Sequence, residues 1–181
     1  FYGTTPGQRT GHAPTASIAL NDRPIGKSKI YFGWSGEAAY LVRQDNIDDP
    51  TTNRSLWRFD GGPSLRAPLS SLPYLTATGQ ISYRLTRWLD SYDPTTGLVV
   101  PVALTRQLLS LNASVVGPVF ARVFNTPNNS YAERFKHLIE PSFGIQRTTP
   151  FRDFDRVIKN DYAVDTMVGG VTTMNYKITN R

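Results

Sequence analysis

The sequence predicts an all-β chain, an antiparallel transmembrane β-barrel sector of about seven long strands belonging to a larger barrel. Three observations predict it: segments whose polarity alternates with a period of two, a nearly charge-free face on each of them, and connections that alternate between short and long. Successive side chains of a strand point to opposite sides, so such alternation makes one face apolar and the other polar.

The expected spans are 13–21, 28–43, 55–70, 73–90, 102–124, 134–148 and 161–180. In the second, Ile30, Phe32, Trp34, Gly36, Ala38, Tyr40 and Val42 share a face, opposite Lys29, Tyr31, Ser35, Glu37 and Arg43. The third sets Trp57, Phe59, Pro63, Leu65, Ala67 and Leu69 against Arg58, Asp60, Ser64 and Arg66. In the fourth, Leu75, Ala77, Gly79, Ile81, Tyr83 and Leu85 oppose Thr76, Thr78, Gln80, Ser82 and Arg84. The fifth alternates Leu109, Leu111, Ala113, Val115, Val119, Ala121 and Val123 with Arg106, Ser110, Asn112, Ser114 and Arg122, and Gly117-Pro118 marks a bulge or bend within it. The sixth sets Phe135, Ile139, Pro141, Phe143 and Ile145 against Arg134, Lys136, Glu140, Ser142 and Gln146. The seventh sets Val164, Val168, Met174, Tyr176 and Ile178 against Asp165, Thr173, Asn175, Lys177 and Thr179. The exceptions on the apolar faces, Arg87, His137 and Arg147, fall toward strand ends, where a charge costs little.

Soluble strands usually run about 5–6 residues. Those expected here are longer, as a strand that crosses a bilayer and continues beyond it must be. Connections are expected near 22–27, 44–54, 71–72, 91–101, 125–133 and 149–160. Turn chemistry marks the short ones, in Asn21-Asp22-Arg23-Pro24 and Asn125-Thr126-Pro127-Asn128-Asn129. Outer-membrane barrels pair short periplasmic turns with long extracellular loops, which puts 44–54, 91–101 and 149–160 outside the cell.

The 181 residues are one domain's worth, and residues 1–181 are expected to form part of a single outer-membrane barrel domain. No stretch is apolar enough for a membrane-spanning helix, which says nothing about strands. The chain opens at Phe1 without a leader and ends at Arg181 in strand-like alternation, as expected of a segment of a longer barrel. The net charge of +6 comes from 20 Lys and Arg scattered singly, so no nucleic-acid partner is expected. With no Cys there is no disulfide, thiolate metal site or Cys nucleophile.

No catalytic constellation is evident, and no enzymatic activity, cofactor or metal is expected. The histidines are His12 and His137, far apart in sequence and without an evident acid or nucleophile. Asp45, Asp48 and Asp49, like Asp153 and Asp155, read first as solvated loop carboxylates, with a calcium ion as the alternative. The polar faces carry the candidate binding residues Arg58, Arg66, Arg84, Arg106, Arg122, Lys136 and Glu140, tempered by Asp60. As lumen-facing groups they are expected to meet a plug protein or anionic sugars and phosphates.

The stretch Arg134-Phe135-Lys136-His137-Leu138-Ile139-Glu140-Pro141-Ser142 resembles the R-x-x-H-x-I-E-P strand of the lipopolysaccharide-assembly (LptD) family. Similar to that family too are Gly117-Pro118-Val119-Phe120-Ala121-Arg122-Val123-Phe124, the Arg58-x-Asp60 pattern with Pro63-x-Leu65 and Pro68, and the terminal Asn175-Tyr176-Lys177-Ile178-Thr179-Asn180-Arg181. The resemblance implies a large barrel in the bacterial outer membrane that delivers lipopolysaccharide to the outer leaflet. It implies as partners lipopolysaccharide, outer-membrane lipids, a plug lipoprotein (LptE-like) and a periplasmic bridge protein (LptA-like). Two other readings stay open. A porin or passive channel would be favoured by a long inward loop beside opposing arginine and acidic rows. A soluble β-sandwich adhesion or binding module would bury its aromatic face under a second sheet.

Overall fold

The computed structural model describes residues 7–128, 130–131, 133–160 and 162–181; Phe1, Asn129 and Asp161, which fall within the expectations above, lie outside them. The described chain is all-β and antiparallel. Its strands are β1 (Arg9–Pro24), β2 (Tyr31–Gln44), β3 (Leu56–Pro68), β4 (Thr76–Trp88), β5 (Ser91–Tyr92), β6 (Val99–Val100), β7 (Leu104–Val116), β8 (Phe120–Asn125), β9 (Arg134–Thr148) and β10 (Thr172–Asn180). One eight-stranded sheet runs in the order β1-β2-β3-β4-β7-β9-β10, with β8 also paired to β9, while β5 and β6 form a small hairpin of their own. The sheet is open, with β1 and β10 at its two ends.

Cross-strand registers put the apolar faces of the individual strands on one common side. Phe32, Leu65, Ile81 and Leu111 form one continuous row of partners across β2, β3, β4 and β7. Ala113 and Val115 extend the same face to Ile145 and Phe143 of β9, and from there to Met174 and Tyr176 of β10. Much of this face is open to the surroundings: Leu65, Ile81, Leu111, Phe143, Met174 and Tyr176 are exposed, Ile81 at 48%. No second sheet covers them among the described residues.

Close backbone approach shapes the wall where β3 meets β4. The pairing lapses between Gly61 opposite Leu85 and Ser64 opposite Ser82. Pro63 brings no N–H to the ladder there, and a Cβ on Gly62 would run into the carbonyl of Tyr83.

The expected fifth span, 102–124, is divided. Gly117, at φ +99° and with the Tyr74 carbonyl where a Cβ would sit, ends β7, and β8 begins three residues later. The break reverses the alternation: Arg122 pairs with His137, and Phe120 with Ile139, on the apolar side of β9. Arg122 is therefore not on the polar face with Arg106, as an uninterrupted period of two would have it. The expected seventh span is also shorter, because 162–165 forms a helical turn and the strand starts at Thr172.

The connections 25–30, 69–75 and 117–119 with 126–133 gather at one rim of the sheet, and the longer 45–55, 89–103 and 149–171 at the other. At the long rim, carboxylates organise the turns. Asp49 accepts from both the hydroxyl and the amide of Thr51, which holds its carboxyl below the usual range. The Thr95 amide and the Thr96 hydroxyl do the same for Asp93. Asp45 lies between Arg43, at 3.0 Å, and Arg54, at 3.4 Å.

The longest connection folds back across the polar face. Its Val157 and Ile158 pack on Leu56, Trp88 and Leu104, with Tyr92 and Phe151 at the edge, and these residues form the buried apolar core. Burying such aliphatic side chains is worth roughly 1.5–3 kcal/mol each, which accounts for a connection this long lying on the sheet.

Candidate functional site

Three of the expected polar-face cations meet beneath 149–171. Arg58 of β3 stands opposite Trp88 of β4, which stands opposite Leu104 of β7; next on the same face, Asp60 opposes Thr86, which opposes Arg106. Glu37 of β2 faces Asp60. Four adjacent strands thus project acidic, basic and aromatic groups onto one patch, because each places an alternate residue on the same face.

The helical turn Tyr162–Asp165 completes the patch from above. Asp165 Oδ1 accepts the indole N–H of Trp88 at 2.9 Å and lies 3.4 Å from Nη1 of Arg58, while Oδ2 accepts the amide of Asn160 at 2.9 Å. Arg58 also donates to Glu37 through Nη2, at 2.5 Å. Arg106 donates to the carbonyls of Val164 and Met167 at 2.9 and 3.0 Å and to the Thr86 hydroxyl at 2.9 Å, with its guanidinium 5.0 Å from the Trp88 ring centre. Arg84 forms a forked pair with Asp60, whose Oδ1 also accepts from Thr86 at 2.6 Å.

Burial makes these contacts obligatory. Arg58, Arg106 and Asp165 are at most 1% exposed, and an ionised group withdrawn from water is tolerated only when it is paired and hydrogen-bonded. The balance is even: Arg58, Arg84 and Arg106 answer Glu37, Asp60 and Asp165. Such a neutralised cluster acts as an anchor that holds 149–171 against the wall. The guanidiniums of Arg58 and Arg106 are withdrawn from water, while the Arg84 side chain is 35% exposed.

The other candidates lie elsewhere. Arg66 stands toward the short rim, 3.3 Å from Asp22 and over the ring of Tyr31. Arg122 lies over Phe124 on the apolar side, with its guanidinium 4.9 Å from the ring centre. Lys136 and Glu140 are on the polar side of β9, in its half nearer the short rim and away from the cluster. His137, also on the apolar side, has a partner in Asn180, with Nε2 and Oδ1 2.5 Å apart.

Sequence reasoning missed Trp88, Thr86 and Asp165 as members of the site. The available signal was the apolar content of the longest connection: Phe151, Phe154, Val157, Ile158 and Val164 are too many for a freely solvated loop. Among the described residues no group of His, Cys, Asp and Glu is arranged to hold a metal ion. The chain matches no protein-family model, and no curated protein matches it significantly.

Proposed function

We propose that this chain is one wall of a bacterial outer-membrane β-barrel of the lipopolysaccharide transport and assembly class, with its apolar face toward lipid and its polar face toward the lumen. One observation carries the membrane reading. Between the two rims the apolar face of β2, β3, β4, β7, β9 and β10 has no charged side chain, while the buried guanidiniums of Arg58 and Arg106 lie on the opposite face of the same sheet. In water such a face is a liability. In hydrocarbon it is required, since Lys or Arg at the bilayer midplane costs about 2–4 kcal/mol.

Lipopolysaccharide as the cargo is supported by the resemblance of 134–142, the stretch of β9 in which the partner strand changes from β8 to β7. It brings with it a plug lipoprotein inside the barrel and a periplasmic bridge that supplies the cargo. A passive channel is the second reading, favoured by the inward fold of 149–171 beside paired arginine and acidic rows.

Depletion of the full protein in its native cells separates the two. For an export barrel, newly made lipopolysaccharide fails to reach the cell surface and accumulates behind the outer membrane. For a channel, surface lipopolysaccharide is unchanged, and the purified protein gives steady ion conductance in planar bilayers.

A further inference from the structure

The apolar face is not uniform. It holds two depressions, of about 670 and 560 Å³, both within the range of about 300–1,000 Å³ common for ligand pockets. Ile18, Trp34, Phe59, Tyr83 and Leu85 line the first, with Arg87 at its edge. Leu65, Leu69, Ile81, Leu111 and Ile145 line the second, with Arg147 at its edge. The first owes its depth to small residues. Trp34 lies across Gly36, whose added Cβ would come within 2.7 Å of the indole, and Gly61, Gly62 and Pro63 form its floor.

The two arginines share a side of the sheet but not a row: Arg87 pairs with Phe59 and Thr105, and Arg147 with Leu111 in the row of Ile81. Each is the penultimate residue of its strand, β4 or β9, on the apolar side. Neither has a carboxylate or hydrogen-bond partner among the described residues. Each cation therefore stands at the edge of an apolar groove. That arrangement matches a molecule with an alkyl chain below and an anion above.

We propose that the groove headed by Arg87 is a seat for a phosphorylated lipid of the leaflet bordering the long connections, its acyl chain lying on Trp34, Phe59, Tyr83 and Leu85 and its phosphate taking the guanidinium. The guanidinium fork suits phosphate oxygens, and low water content at the interface strengthens the bond. The proposal rests on the reading that this face meets lipid, and its test separates the two.

The full protein is reconstituted in phosphatidylcholine vesicles doped with brominated phosphatidylglycerol or, separately, brominated phosphatidylcholine. Quenching of Trp34 is taken as the difference between the wild type and Trp34→Phe. The anionic lipid is expected to be preferred on the order of two- to five-fold, the effect of one cationic side chain near a membrane surface. Arg87→Gln abolishes the preference, Arg87→Lys retains most of it, and Arg147→Gln, at the other groove, leaves it unchanged. Equal quenching by both lipids, unaltered in Arg87→Gln, overturns the lipid seat while leaving the lipid-facing wall intact. No quenching by either lipid overturns the wall itself, and the seat with it.

Discussion

The carboxylate of Asp165 meets the guanidinium of Arg58 at 3.4 Å, across 107 residues of sequence, with both side chains withdrawn from water. The contact joins the longest connection to the sheet wall, and its loss is asymmetric in effect. Removing one partner of a buried pair costs about 3–5 kcal/mol, largely because the other is left desolvated. Asp165→Ala also deprives the Trp88 indole of its acceptor. The expected result is release of 149–171 with the sheet intact, read as trypsin cleavage after Arg152, Arg156 or Lys159 in the membrane-inserted protein. The wild type should resist at the same protease concentration.

Arginines on the same face should differ in weight. Arg84 grips Asp60 in a forked pair, and the Asp60 side chain is only 8% exposed, whereas Arg66 and Asp22 are largely open to solvent. Arg66→Gln is expected to change unfolding stability by less than about 1 kcal/mol. Arg84→Gln should cost more, about 1.5–3 kcal/mol, because a charge-assisted bond to a mostly buried carboxylate is lost. Denaturant unfolding of the two variants in vesicles checks the order.

Adjacent positions of β4 should respond oppositely to the same charge. Ile81 is on the apolar side and Ser82 on the polar side. Ile81→Arg is expected to destabilise the inserted protein by about 2–4 kcal/mol, whereas Ser82→Arg should cost little, since its head stays hydrated. Equal costs at the two positions would contradict opposite environments for the two faces.

Most of the sheet was legible in the sequence because period-two alternation survives wherever one face must be apolar. Residues 134–148 were expected as a strand and are β9. The alternation fails at Gly117, a residue at positive φ after which the side chains of β8 change faces, so Arg122 lies on the apolar side. It failed again at Val164 and Asp165, whose apolar-polar order suits a strand equally well but belongs to a helical turn. The candidate site was half legible. Arg58, Arg84 and Arg106 were identified by face, but their partners were not, because Asp165 approaches from a connection that periodicity cannot place.

The most direct test of the account is the environment of successive residues along β4. Spin labels are placed singly at positions 74 to 85 of the full protein in outer membranes, and their collision rates with oxygen are measured. The account predicts oxygen accessibility that peaks at Leu75, Ala77, Gly79, Ile81, Tyr83 and Leu85 and falls at the positions between. Uniform burial, without a period of two in lipid contact, would contradict a lipid-facing wall and remove the basis for an outer-membrane function.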